Sequence, residues 1–287
     1  MRYTITGGTG HLGSQIVKAL TEYVPASEIR VGVHTVSKAQ HLIDAGFDVQ
    51  AFDFFDEESL GSLLQDTDVF IYVPSKSHTS YGRIGELEKV LIAAQMTEVG
   101  HIVAMGFVAD QVNNPFDLSA FYGYLPRRLA ETGLDYTIIR NALYADPLVP
   151  YIPELIERKN IIYPMGNESL SFISLEDSAK AFAKVATTKS LRIPDKIYTL
   201  TQPRNYSMPQ LAEILTEVSG HDIGYEPMTL QEFADTYNED GGGHMLASMY
   251  DAGSMGLLDQ VTDDYQKIMG KPATDLKKFI TEKYSEL

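Results

Sequence analysis

Residues 3–13 read YTITGGTGHLG, a short β-rich run that passes through Gly7-x-x-Gly10-x-x-Gly13 into a helical pattern. A strand, a turn with glycine at every third position and a helix, in that order, is how a dinucleotide-binding βαβ unit opens. Gly7 permits the tight turn. Gly10 lets the backbone approach a pyrophosphate, and Gly13 allows close packing of helix on strand. The first helical turn then presents free N–H groups and a positive dipole end. Thr9, His11 and Leu12 therefore join Gly7, Gly10 and Gly13 as cofactor-binding candidates. A purely structural turn is the competing reading, and the motif's position after a strand and before a helix weighs against it.

Outward from the turn, Leu12, Ile16, Ala19, Leu20 and Tyr23 fall on one helical face. Strands are expected at Ile29–Val33, Val49–Phe52, Val69–Val73, Ile102–Met105 and Tyr136–Arg140. Between them lie helical patterns at Lys38–Ala45, after the N-cap candidate Asp56, around Leu87–Ala94 and at Leu118–Thr132. Strands alternating with helices imply an α/β fold, a Rossmann-type doubly wound parallel sheet. After Ala142 the rhythm changes. Pro147, Pro150 and Pro153 punctuate a segment expected to line the sheet's C-terminal edge, and Asp177–Thr187 reads as a helix returning to the main domain. Lys196–Thr201 and Ile223–Met228 read as strands, Met208–Ser219 as a helix, and Gly241-Gly242-Gly243 as a flexible break before His244, a loop histidine. The expected organisation is a dinucleotide-binding domain over residues 1–145 and a smaller C-terminal α/β substrate lobe over 146–287, with some elements returning to the main sheet.

Composition narrows the functional classes. A formal net charge of −16 argues against binding nucleic acid or an anionic membrane surface. The absence of cysteine excludes disulfides, thiolate metal sites and a cysteine nucleophile. The histidines are scattered, so no metal site is expected. No apolar run reaches the ~20 residues of a membrane helix, and the N-terminus lacks a signal peptide's apolar core, so a cytoplasmic address is expected.

The second strand ends in Val33-His34-Thr35, with Lys38 following. An acidic residue there would bind a free ribose 2′-OH. Its absence favours NADP over NAD, with His34 and Lys38 facing the 2′-phosphate; a solvated helix residue is the alternative for Lys38.

These residues, together with VPASEI (24–29), KAQ (38–40), DYTIIRNALY (135–144) and the run from Asp251 to Leu276, resemble the atypical short-chain dehydrogenases with an NmrA-like fold. Within them the likeness is to the bacterial NADPH-dependent quinone oxidoreductases and triphenylmethane reductases. The resemblance implies that Asp53 lies near the adenine and that Val73, Pro74 and Ser75 pass along the cofactor. Met105 and Gly106 belong to the same cofactor set. It further implies that Asn141, Ala142, Leu143 and Tyr144 lie beside the nicotinamide and the substrate.

The departures bear on chemistry. Carbonyl-reducing short-chain dehydrogenases use a tyrosine with a lysine four residues on, whereas here Tyr122 is followed by Pro126 and Tyr124 by Arg128. The assisting hydroxyl position falls in Ala104-Met105-Gly106, Leu175 replaces a family arginine, and Arg127 stands near a family lysine. A permanently charged arginine is no proton relay at pH 7. Hydride transfer to a small flat acceptor such as a quinone or aromatic dye survives these losses, because it needs positioning more than a protein acid. Tyr122, Tyr144 and Arg127 are the catalytic candidates, and a Tyr122 or Tyr124 hydroxyl is available to a quinone oxygen. The expected partner is a small-molecule electron acceptor, and a homodimer stays open. The other reading is a non-catalytic redox sensor that binds the dinucleotide without turnover. A sugar-nucleotide epimerase would need the missing pair.

Overall fold

The computed structural model describes residues 1–239 and 241–286. It divides into two compact units, and the chain passes between them repeatedly. The first comprises Met1–Gly106, Tyr124–Arg140 and Leu175–Tyr198; the second comprises Phe107–Gly123, Asn141–Ser174 and Thr199–Leu287.

The first half of the chain builds β1 (Tyr3–Ile5), α1 (His11–Leu20), β2 (Ile29–Val33), α2 (Gln40–Asp44), β3 (Asp48–Ala51) and α3 (Glu57–Leu64). It continues through β4 (Val69–Tyr72), α4 (Ser80–Met96), β5 (Ile102–Phe107), α5 (Ser119–Thr132) and β6 (Tyr136–Asn141). Then follow β7 (Leu143–Tyr144), α6 (Leu148–Arg158), β8 (Asn160–Ile161), β9 (Ser169–Leu170), β10 (Phe172–Ile173), α7 (Leu175–Thr187) and β11 (Lys196–Leu200). The C-terminal part holds β12 (Tyr206–Ser207), α8 (Met208–Ser219), β13 (Gly224–Tyr225), α9 (Leu230–Thr236), α10 (Gly243–Ser254), α11 (Asp264–Met269) and α12 (Leu276–Tyr284).

Seven strands form one sheet in the order β11-β6-β5-β4-β1-β2-β3. Strands β3 to β5 pair in parallel. Amide bonds from Ile102 to Asp135 and from Asp195 to Tyr136 begin the β5–β6 and β6–β11 pairings in the same sense. This is the expected doubly wound sheet, with its topological switch between β1 and β4. Strands β2 and β4 are buried throughout, β4 as the continuous apolar run expected in a parallel sheet and β2 with a buried Arg30 among apolar residues. The apolar stripe of α1 packs on α7, whose buried alanines 179, 183 and 186 permit close approach. Helix α7 is thus the expected returning helix, beginning two residues earlier than its sequence pattern.

Polar groups fix register inside this unit. Arg30 stands opposite Asp48 across the β2–β3 pair and donates to it from Nε at 2.7 Å, while its Nη1 donates to the Leu63 and Gln65 carbonyls. A buried guanidinium satisfied this way holds one register and penalises a slip.

In the second unit the proline-rich segment folds into α6. Pro150 lies in its first turn, where a missing N–H costs nothing, and Pro153 sits further along the helix. The expected strand 223–228 shrinks to β13, paired with β8. His244 lies in the first turn of α10 rather than in a loop, and its Nδ1 is 3.0 Å from the Asp117 carboxylate. Gly243 has a packing reason: a Cβ there would stand 2.0 Å from the Ala234 carbonyl of α9. Among the described residues no helix is long and apolar enough to cross a membrane.

A buried histidine ties the near ends of β5 and β6 to the turn before β11. Thr137 donates to the Ile193 carbonyl at 2.8 Å, so its oxygen accepts from His101, whose Nε2 carries the proton at 2.9 Å. Burial holds the imidazole pKa down to about 4, with the Arg192 cation adding to the effect. An unfolded histidine titrates near 6.5, so between these values the unfolded state binds the extra proton. The stability associated with neutral His101 is complete above pH 6.5 and is lost as pH falls toward 4. Urea unfolding at pH 7 and pH 4.5 should show the His101→Gln protein losing about 2 kcal/mol less than the wild type over this interval.

Candidate functional site

At the end of β1 the chain turns on Gly7, whose φ of +67° is the left-handed region that glycine enters freely. The Gly10 amide folds back onto the Gly7 carbonyl at 2.9 Å, and α1 starts with Gly10 as its N-cap. No side chain caps that end and no acid occupies its first turn, so the first-turn amides stay open to an anion. A Cβ on Gly13 would stand 2.1 Å from the Gly7 carbonyl oxygen, and one on Gly8 would stand 2.1 Å from Val31. Gly8 is thus held by packing, a constraint outside the three-glycine spacing. Exposed Thr9 and His11 flank the half-exposed Gly10, while Leu12 and Gly13 are buried. The cradle fits a dinucleotide pyrophosphate.

Thr6 joins this turn to the end of β4. Its hydroxyl donates to the Val73 carbonyl at 2.8 Å and accepts from the Val73 amide at 3.0 Å. Pro74 and Ser75 follow, partly exposed. Ser75 donates to Glu86 of α4 at 2.8 Å and accepts from the Ser77 amide, which fixes the loop. Burial pushes the Glu86 carboxyl above the usual range. His34, at the end of β2, lies 3.9 Å from the Asp53 carboxylate, and both are exposed. Asp53 also accepts from the Phe55 amide, so it serves as a turn residue as well. Lys38 is exposed on the 3-10 turn 36–39. At the end of β5, Met105 is partly exposed, and a Cβ on Gly106 would meet Ile138 at 3.0 Å.

The remaining predicted residues lead into the second unit. Asn141 is fully buried and donates to the Tyr144 hydroxyl at 3.1 Å. Ala142 and Leu143 are bonded through their amides to Leu200 and Ser171. Leu143 and Tyr144 line a cavity of about 250 Å³ with Phe107, Pro147, Leu148, Tyr151, Tyr163, Phe172, Phe233, Tyr237, Leu246, Met249 and Tyr250. Tyr122 is buried, its ring 5.4 Å from the cavity residue Phe107 and 5.1 Å from Phe121. The hydroxyl of Tyr124 is spent on Glu88, which Arg128 also binds, so this tyrosine belongs to a structural ion pair. Arg127 belongs to the first unit, exposed on α5.

Most of the cavity wall escaped the sequence reading. Tyr163 and Tyr250 stack at 4.9 Å with a 17° interplanar angle, and Phe233 meets both edge to face. Tyr237 packs on Tyr151 and Phe233 and donates to Glu154 at 3.1 Å, while Arg158 binds the same carboxylate oxygen at 2.7 Å. Burial raises the phenol pKa values of Tyr163, Tyr237 and Tyr250, the Glu154 charge adding to the effect on Tyr237. Each stays neutral through the physiological range.

The model of the family described as NAD(P)H-binding matches residues 7–187, well over half of the chain. The chain belongs to this family. Quinone oxidoreductase 2 of Escherichia coli (strain K12) is similar to this chain, 28% identical over 286 residues and covering 98% of each chain. The structure of a nucleoside-diphosphate-sugar epimerase from Staphylococcus aureus superposes with a TM-score of 0.93 at 37% identity, over 98% of this chain and 100% of that one. The triphenylmethane reductase of Citrobacter sp., complexed with NADP(H), superposes with a TM-score of 0.91 at 28% identity, over 99% and 100%. The NmrA-like resemblance seen in the sequence and the Rossmann-type fold both agree with these matches.

Within this NAD(P)H-binding chain, Gly13→Ala should force the turn apart, since the clash is with backbone. A loss of at least about tenfold in reduced-dinucleotide affinity, or ~1.4 kcal/mol, is expected from nicotinamide fluorescence titration.

Proposed function

We propose that this oxidoreductase reduces a small, flat, electron-poor acceptor, a quinone or an aromatic dye, at the expense of NADPH. The observation that carries this reading is the aromatic cavity of the second unit. Its walls are ring faces and aliphatic side chains, and among the described residues no lysine or arginine lines it. At about 250 Å³ it lies just below the usual range for small-ligand sites and suits one planar molecule. Tyr144, held through its hydroxyl by Asn141, offers its ring to such a molecule. A sugar nucleotide would need cations for its diphosphate and a tyrosine–lysine pair for proton transfer. The cavity lining provides neither, and Tyr122 and Tyr124 lack the lysine, which sets this reading apart from the name of the Staphylococcus aureus relative.

The residues divide the work. Gly7, Gly10 and Gly13 with the open amides of Thr9, His11 and Leu12 receive the pyrophosphate. Val73, Pro74, Ser75, Met105 and Gly106 flank the dinucleotide, and Asn141 to Leu143 border its nicotinamide end. His34, beside Asp53, and Lys38 favour the 2′-phosphate of NADP(H). When bound, the reduced nicotinamide supplies a hydride, and one solvent proton completes a hydroquinone from a quinone. Tyr122 shapes the cavity through Phe107, and Arg127 adds positive charge on α5 without relaying a proton. The protein's share of catalysis is positioning in a dry, apolar site.

Parallel calorimetric titrations with NADPH, NADP⁺, NADH and NAD⁺ test the cofactor side. Tighter binding of the phosphorylated pair is expected, and Lys38→Ala should weaken NADPH binding about fivefold while leaving NADH unchanged. Equal affinities would remove the proposed preference. NADPH oxidation on addition of 2-methyl-1,4-naphthoquinone tests the reaction, and tight cofactor binding without oxidation by quinones or dyes would overturn it.

A further inference from the structure

Within this apolar cavity the hydroxyls of two buried, stacked tyrosines have no partner among the described residues. Tyr163 and Tyr250 are 3% and 7% exposed, and both line the cavity. Of the other tyrosines on the wall, Tyr237 donates to Glu154 and Tyr144 receives Asn141, while the hydroxyl of the half-buried Tyr151 is uncommitted among the described residues; the Tyr163 carbonyl takes the Tyr225 hydroxyl. Neither the Tyr163 nor the Tyr250 hydroxyl has a hydrogen-bond partner among the described residues. Neither oxygen is sealed from the cavity space, and one that a bound molecule covers without bonding to it costs on the order of 1–3 kcal/mol. Two of them on rings stacked at 4.9 Å bring that donor capacity to one wall of the cavity.

We infer that the Tyr163–Tyr250 pair is the polar anchor of the cavity, donating hydrogen bonds to a carbonyl oxygen of the acceptor and so selecting quinones over hydride acceptors that carry no oxygen. This rests on the reading that the cavity takes the acceptor. Selection follows from bond counting, because an acceptor without oxygen leaves both hydroxyls buried and unpaired. The pair also favours the product side. As hydride arrives, negative charge builds on the quinone oxygen, and a fixed neutral donor there lowers the barrier. Burial keeps both phenols protonated, so they donate hydrogen bonds and keep their protons. The proton balance is then closed by solvent: quinone, hydride from NADPH and one solvent proton give hydroquinone and NADP⁺. A triphenylmethane dye cation takes the same hydride on its central carbon and needs no proton.

Tyr163→Phe, Tyr250→Phe and the double variant test the inference, since phenylalanine keeps the stacking and removes only the donors. Equilibrium dialysis against 2-methyl-1,4-naphthoquinone, with no nicotinamide present, should show about a five- to tenfold weaker Kd for each single variant. In steady-state assays kcat/KM for the quinone should fall about ten- to a hundredfold, while that for crystal violet holds or rises. Tm should hold or rise, because the lost hydroxyls have no partner in the free protein. Unchanged quinone binding in the double variant, equal losses for both acceptors, or a fall in Tm of several degrees would overturn the inference. A wild type that fails to bind the naphthoquinone would overturn it as well. A wild type that binds the quinone but does not oxidise NADPH would defeat the reaction reading alone, and the dialysis result would still decide the role of the two tyrosines.

Discussion

Between Gly13 and the Gly7 carbonyl there is no room for a methyl group, and the dinucleotide end of the molecule depends on that proximity. It brings the start of α1 down onto the turn that leaves β1. The helix therefore begins with bare amides instead of a capping side chain, and the turn closes on itself through Gly10. Thr6 then locks the same turn to β4, and Gly8 packs against Val31 of β2. Three neighbouring strands are thus keyed to one loop of backbone. The cost is entropic, since glycine surrenders more freedom on folding than any other residue.

That part of the molecule was legible because its signal is local. A glycine every third residue, bounded by a strand and a helix, leaves few alternatives, and the uninterrupted apolar run of β4 reads directly as a strand of a parallel sheet. Asp56 capped its helix as its side chain suggested, accepting from the Glu58 amide. Other signals were ambiguous. Three prolines between residues 147 and 153 mark a segment expected to line the sheet's C-terminal edge without naming its secondary structure, and the apolar stripe Leu148, Val149, Ile152 and Leu155 makes it α6. Ile223–Met228 has a strand's composition, but only two residues found a partner strand.

The cavity lay beyond this kind of reading. Its walls come from residue 107, from 143–151, from 163 and 172, and from 233–250, and no spacing rule links such positions. Tyr163 and Tyr250 are single aromatic residues in otherwise ordinary contexts, where packing is the default role. What distinguishes them is a tertiary property, namely two buried rings stacked on one cavity wall with hydroxyls that lack partners among the described residues. Tyr124 shows the opposite outcome: a tyrosine that the helix pattern kept in play is bound to Glu88. The cavity is lined by ring faces, aliphatic side chains and tyrosine hydroxyls, which composition does not advertise.

The interleaved layout of the chain has a consequence for synthesis on the ribosome. The last strand of the seven-stranded sheet, β11, ends at Leu200, whereas its neighbour β6 is complete at Asn141. At roughly 5–20 residues per second, several seconds pass between the two. Through that interval the outer edge of β6 is a row of unpaired amides and carbonyls, able to pair with any extended chain nearby. The nascent protein is therefore most open to misassociation midway through its making, and completion of the sheet waits on a segment from its last third.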